Sequence, residues 1–346
     1  MSDVFLVMKT SPPEIRKAAA EKLLHDQYGI DGILDSLASE HDQNFRVRSA
    51  SGESFVLKIV NSADAAVLTN FRIAVISHIA EVDPSFPVPR IVQTRDGAKT
   101  TTISDNEGRR HVVLVLTWLE GLVLRYADPA PDNAEALGSC LARLDVALRD
   151  FPDPAIDLAS LWDLKRAANL LEFVDRLKDP ALRRICRSRL VKFTERATPV
   201  LNGLDYQVIH SDLNSGNVIV DASGTGRIAG IIDFGDTIYS PVIVDVAIAA
   251  AYLIDDTNAP LTRILTFLRG YAKLSRLTET ETDLLYDLML ARNVTTIVIG
   301  HWLAEHYPEN KDYILLDDVR ARKSIGRLMS MGRAEVSHCF RVACAQ

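Results

Sequence analysis

Apolar and polar positions change period several times along the chain, and each change marks an element. Over residues 11–27 the apolar positions recur at helical spacing behind Ser11-Pro12-Pro13-Glu14. Ser11 can cap that helix, Pro12 needs no N–H in the first turn, and Glu14 can close a capping box. The period then falls to two. Residues 33–37, 44–49 and 54–60 read as strands, with Ser51-Gly52 as a turn between the last two. Lys58 interrupts an apolar run there, and alternation sets it on the face opposite Leu57 and Ile59. A helix is predicted over 64–81, a proline-rich break over 84–89, and strands over 91–94, 100–104 and 111–117. Past Gly121 helical spacing takes over, at 133–149, 161–177 and 180–197, then at 242–254, 259–274, 279–306 and 317–331. Three short apolar runs within 206–236 interrupt it. The tail from Gly332 to Gln346 reads as a continuation of the last helix that frays.

These elements make an α+β chain with two lobes. Residues 1–117 form a small antiparallel-sheet N-lobe, 118–121 a hinge, and 122–346 a larger, mostly helical C-lobe. Hydrophobic residues at 47% and charged residues at 25% are an ordinary globular mixture. A net charge of -7 with no basic tract argues against nucleic acid and anionic membranes as partners. The four cysteines, Cys140, Cys186, Cys339 and Cys344, lie outside any metal spacing, which suits reduced thiols rather than a disulfide framework. Phe5-Leu6-Val7-Met8 is too short for the core of a signal peptide, and no apolar run approaches the ~20 residues that span a bilayer. A cytoplasmic protein is expected; its oligomeric state is not readable.

The chemistry gathers in the stretch 208–220. Two apolar runs flank His210-Ser211-Asp212-Leu213-Asn214-Ser215-Gly216-Asn217, and a third run ends in Asp233-Phe234-Gly235-Asp236. Loops at strand ends thus deliver Asp212, Asn217 and Asp233. With Lys58 they make the inventory of phosphoryl transfer: a cation for phosphate oxygens, an amide and a carboxylate for Mg²⁺, and a carboxylate that accepts the proton of an attacking hydroxyl. His210-x-Asp212-Leu213-x-x-x-Asn217 matches the kinase catalytic loop with Ser211 in place of Arg, Asp233-Phe234-Gly235 matches the metal motif, and Val56-Leu57-Lys58 resembles the lysine strand. No Ala-Pro-Glu follows Asp233, and residues 236–241 run almost directly into a helix. That leaves no segment on which a protein substrate could dock, so a small-molecule acceptor is expected.

The chain resembles the aminoglycoside phosphotransferase / choline kinase family, within the protein-kinase-like fold. The resemblance covers nearly its whole length, through His41-Asp42-Gln43-Asn44-Phe45, Phe86-Pro87-Val88-Pro89, Trp118-Leu119-Glu120-Gly121, the loop 210–217 and Gly230-Ile231-Ile232-Asp233-Phe234-Gly235-Asp236. Asp233 to Thr237 followed by Tyr239-Ser240-Pro241 is most similar to the hydroxylysine kinase group, whose members phosphorylate the side-chain hydroxyl of 5-hydroxy-lysine with GTP. The resemblance implies Asp212 as base, Asn217 and Asp233 as Mg²⁺ ligands and Lys58 as phosphate contact, with ATP or GTP as co-substrate. Two departures stand out. No Glu lies between Lys58 and Glu81 to pair with the lysine, since Arg72 falls near the expected position and Asp64 is the one carboxylate in the interval. The first turn also lacks phosphate-cradling glycines. The polar segment Ser39-Glu40-His41-Asp42-Gln43-Asn44 can instead present backbone N–H groups and an amide side chain, which makes Asn44 a nucleotide-contact candidate.

Further candidates surround this set. Trp118, Leu119 and Glu120 read as the hinge whose backbone bonds a purine edge. His210 reads as a residue that fixes the loop by hydrogen bonds, and Asp245, inside an apolar helix, as a partner of the catalytic loop or of an Arg. Asp236 is a candidate for acceptor or second-metal contact. On the helix over 279–306, Trp302 and Glu305 suit an ammonium-bearing acceptor, and Arg292 suits the carboxylate of an amino acid. Two alternatives stay open: an aminoglycoside or other amino-alcohol phosphotransferase, choline- or homoserine-directed, whose acidic wall would draw on Asp255, Asp256, Glu279, Glu281 and Asp283; and a catalytically silent nucleotide-binding module, supported by the missing Glu.

Overall fold

A computed structural model describes residues 10–39, 41–64, 66–127, 133–152, 160–255 and 257–345. Phe5 to Met8, Glu40 and Asp256 lie outside them. By its contacts the chain divides into two units, Met1–Glu120 and Gly121–Gln346.

In the first unit, strand pairing follows alternation. Strands β1 (Gly32–Leu37), β2 (Gln43–Ser49) and β3 (Ser54–Ile59) form an antiparallel meander, extended by β6 (Arg110–Thr117). The short β4 (Ile91–Val92) and β5 (Thr101–Ser104) both pair with β6. One face carries Phe45, Val47, Leu57, Ile59, Val113 and Val115 and packs on Ala20 and Leu24 of the first helical segment. The other face places Leu114 against Ile73 of helix α2 (Ala66–Val82). Lys58 lies on this second face, between Asn44 on β2 and Leu114 on β6.

The N-terminal helix starts later than its signals suggest. Helix α1 is Lys17–Leu23, followed by a π-helical turn, Leu24–Tyr28, that Gly29 ends at φ 69°. Residues 11–16 are not helical. The Gln43 side chain takes both the N–H and the carbonyl of Ile15, so those groups are satisfied without a helical turn.

In the second unit, β7 (Leu122–Val123), β9 (Val218–Val220) and β10 (Ile228–Ile231) form a small antiparallel sheet, and β8 (Gln207–Ile209) pairs with β11 (Ile238–Ser240). Helices α3 (Asn133–Leu148), α4 (Pro180–Arg196), α5 (Thr198–Leu201), α6 (Val242–Ala251), α7 (Thr262–Ala272) and α8 (Glu279–His306) make up most of the rest. Helix α8 starts on a capping box between Thr278 and Glu281. Almost every residue from Thr282 to Leu303 is buried, as befits a helix that is apolar on most of its circumference.

Three local expectations are corrected. The segment predicted as a helix over 161–177 is a pair of 3₁₀ helices, Leu164–Glu172 and Val174–Arg176, entered through Asp163, whose side chain accepts from Lys165 N. Residues 238–240, read as part of a direct run into a helix, form β11. The tail is a separate helix: Gly332 at φ 81° stops α10 (Asp318–Met331) after the short α9 (Lys311–Ile314), and α11 (Arg333–Cys344) follows. Cys140, Cys186, Cys339 and Cys344 are free thiols. Among the described residues no helix is long and apolar enough to cross a membrane.

Candidate active site

The loop joining β8 to β9 is shaped by one buried carboxylate. Asp245, in the first turn of α6, accepts hydrogen bonds from the backbone N–H groups of His210 (2.9 Å) and Ser211 (2.9 Å). This double anchor holds Ser211 at φ 66°, a left-handed conformation that costs a non-glycine residue about 1–2 kcal/mol. His210 is fully buried. Its Nδ1 accepts from the Asp212 N–H (3.2 Å), and its Nε2 lies 3.1 Å from the Ile232 carbonyl and donates to it. With both ring nitrogens occupied, His210 ties the loop to the segment before Asp233.

Asp212 sits at the loop's turn with both oxygens engaged. Oδ1 accepts from Arg292 Nη2 at 2.6 Å, and Oδ2 accepts from Asn214 Nδ2 (2.9 Å) and Asn217 Nδ2 (2.8 Å). Burial pushes its carboxyl up to about 6, with Asp236 adding to the rise, while Arg292 and Asn214 pull it down. The group is therefore ionised at neutral pH yet basic enough to take a proton. Arg292 is buried on α8. Burial alone would weaken its charge, but Tyr252 and Asp212 reverse this and hold the guanidinium protonated. It donates to the Tyr252 hydroxyl and lies over the rings of Trp162 and Tyr252. Its Nη2 thus serves the candidate base, while Nε and Nη1 are buried without a hydrogen-bond partner among the described residues.

Asn217 spends its amide nitrogen on Asp212, on the carbonyl (2.9 Å) as well as the carboxylate. This leaves Oδ1 without a described partner. Its backbone carbonyl accepts from the Ile232 N–H (3.0 Å), which extends the β9–β10 pairing and puts Asn217 on the neighbouring strand to Asp233. Asp233 is exposed, adopts φ 63° and uses Oδ1 on the Gly235 N–H. An amide oxygen and an exposed carboxylate one strand apart fit a hard cation that draws its other ligands from phosphates and water. Among the described residues no group of three or more His, Cys, Asp or Glu is placed to hold a metal unaided.

The other candidates divide. Asp236 accepts from the Ser160 hydroxyl (2.8 Å), and its charge is felt at Asp212. Trp302 packs on Phe173 and His306, and Glu305 is exposed; among the described contacts neither meets the loop that holds Asp212. In the first unit, Lys58 pairs with Asp42 at 2.6 Å. Asn44 lies directly across from Lys58 with its Oδ1 buried and unbonded. The Trp118 ring is covered by the Arg46 guanidinium at 4.2 Å, and the Trp118 backbone N–H donates to the Ser54 carbonyl; Leu119 and Glu120 follow it. Gly121 has φ 142°, and a Cβ there would lie 2.3 Å from the Val220 carbonyl, so the chain enters the second unit through a position only glycine fills.

Sequence reasoning missed Asp42, Ser160, Trp162 and Tyr252. Asp42 carried a signal: a hairpin turning at Ser51-Gly52 sets Asn44 opposite Lys58, and Asp42, two residues before Asn44, shares that face. The others come from distant segments that no local pattern joins to Asp212.

A hydroxylysine kinase of Mus musculus is 28% identical over 354 residues, covering 96% of this chain and 94% of the relative. A homoserine kinase of Methylobacillus glycogenes is 26% identical and covers 73% of each. A solved amicoumacin kinase in complex with AMP-PNP, Ca²⁺ and Ami matches with a TM-score of 0.69 at 18% identity, covering 90% of this chain and 93% of that one, which places the fold among kinase-like folds. Residues 36–278 match the phosphotransferase enzyme family (APH), and the chain belongs to that family.

Proposed function

We propose that the protein transfers the terminal phosphoryl group of ATP or GTP, with Mg²⁺, to a hydroxyl of a small amine-bearing metabolite, with 5-hydroxy-lysine as the leading acceptor. The observation that carries this reading is the arrangement around Asp212: a carboxylate made basic by burial, clamped to the amide nitrogen of Asn217, one strand from Asp233. Asp212 takes the hydroxyl proton as the acceptor oxygen bonds to phosphorus and the bond to the leaving diphosphate breaks. Asn217 and Asp233 would hold Mg²⁺, which when bound neutralises phosphate oxygens and aligns them. Lys58 contacts phosphate oxygens, Asn44 adds an amide beside it, and the backbone of Trp118, Leu119 and Glu120 meets the purine. His210 and Asp245 hold the loop in shape. The near full-length likeness to hydroxylysine kinases supports the acceptor.

A homoserine-like acceptor is the second reading, supported by relatives matched over 73% of the chain. An aminoglycoside acceptor has less support, because part of its acidic wall is already used. Glu281 caps α8, Asp283 pairs with Arg341, and Asp255 bonds Thr257. The silent-module reading loses its ground once Lys58 has a carboxylate partner.

The test is a screen of hydroxylated amines and amino acids with ATP and with GTP, in Mg²⁺. Turnover is expected first on 5-hydroxy-lysine. Asp212→Asn should keep the fold and nucleotide affinity and lower kcat by about 10²- to 10⁴-fold. Wild-type turnover in that variant removes the proposed base.

A further inference from the structure

A phosphate-binding lysine on a partly buried strand needs an anion to fix its ammonium. The helix that follows β3 does not supply one. α2 has no carboxylate before Glu81, which is exposed in its last turn, and its Arg72 is paired with Asp64. The anion comes from within the sheet instead. Asp42 precedes β2 by one residue, shares a face with Asn44, and reaches Lys58 Nζ at 2.6 Å.

Asp42 is itself held from several sides. Its N–H donates to Ser39 Oγ (3.2 Å), and its Oδ1 accepts from the Asn61 N–H (2.9 Å), which leaves Oδ2 for the lysine. The Asn61 side chain in turn donates to the carbonyls of Thr10, Ser11 and His41 and accepts from the Ala63 N–H. Burial would raise the Asp42 carboxyl, but Lys58, the Asn61 N–H and Arg72 outweigh it and leave it below its ordinary value. Asp42 is thus a charged, immobilised partner just before the strand next to Lys58.

We propose that Asp42 is the positioning residue for Lys58, so that the lysine is set by the β2–β3 hairpin and not by the helix behind it. The inference rests on the phosphotransferase reading of Lys58. It implies that the lysine is poised in the resting protein, with no helix movement needed to complete the pair.

The test uses the full chain and the best acceptor of the screen. Asp42→Asn keeps an oxygen for the Asn61 N–H but discharges the partner of Lys58. It should lower kcat/KM for the nucleotide by about 10- to 100-fold, the cost typical of losing a group that orients a functional side chain, and leave the acceptor KM unmoved. Asp42→Glu should recover part of the loss. In a Lys58→Ala background Asp42→Asn should add nothing, because the group it acts through is gone. Additive losses, or wild-type nucleotide kinetics in Asp42→Asn while Lys58→Ala is impaired, overturn the proposal. Wild-type kinetics in Lys58→Ala overturn it too. Lost turnover in Asp212→Asn would still uphold phosphoryl transfer, so the two readings fail separately.

Discussion

Ser211 and Asp233 are the two non-glycine residues with positive φ among the described residues, and both belong to the candidate site. Strain of this kind persists only where the surroundings over-determine it. At Ser211 the surroundings are Asp245, which gives one oxygen to each of two buried N–H groups. Asp245→Ala should therefore destabilise the protein by about 2–4 kcal/mol, because two buried donors lose their acceptor together. Urea unfolding of the two proteins measures it, and a difference under about 0.5 kcal/mol, as for a surface change, would contradict the anchoring role. At this scale the sequence was informative about residue types and less so about pairings. Asp212, Asn217 and Asp233 stand in a motif whose spacing marks them as candidates. Arg292 does not, since it lies eighty residues further on, and only tertiary packing makes it the partner of Asp212. Lys58 lies between: its missing helix partner was visible, and its actual partner follows from hairpin register.

Helices α3 and α7 cross with almost no side chain between them. A Cβ at Gly138 would fall 2.0 Å from the Phe267 carbonyl, and one at Gly270 would fall 2.2 Å from the Glu135 carbonyl. Ser139 Oγ seals the contact by donating to the Gly270 carbonyl at 3.0 Å. Alanine at Gly138 gains about 1 kcal/mol of helix propensity. The backbone clash should outweigh that gain, leaving Gly138→Ala less stable by about 1–3 kcal/mol. A rise in its melting temperature would mean that the helices separate at no cost. Long elements were legible where the helical period is sustained, as over 279–306, which is α8. Short or irregular ones were not. β7 and β11 are too brief to show a period, and the 3₁₀ stretch after Asp163 keeps apolar spacing that cannot be told from an α-helix. The prolines at 12 and 13 looked like a helix start until the Gln43 side chain claimed the backbone of Ile15.

For the molecule as a whole, strand period gives way to helical period near Gly121, and the contacts divide the chain after Glu120. How the helices after α6 assemble was not legible, because their pairing depends on close backbone approach and on buried polar groups. Ligand linkage gives a test at this scale. A nucleotide at roughly a hundred times its Kd adds about 2.7 kcal/mol to the stability of a native state that alone binds it. ATP or GTP with Mg²⁺ should thus raise the melting temperature, and EDTA should cancel the part carried by the metal. In Asp233→Ala the EDTA-sensitive part should vanish; if it persists, the metal is held elsewhere.

Asn217 accepts one backbone hydrogen bond from Ile232, the residue before Asp233, at the end of the β9–β10 pairing. The pairing of β9 with β10 sets the two residues side by side although sixteen positions separate them in the chain. On the proposed phosphotransferase reading, substitutions in the later helices re-tailor which alcohol is admitted while this strand pair goes on presenting the same two side chains, so a change of diet need not retrain the hand that holds the phosphates.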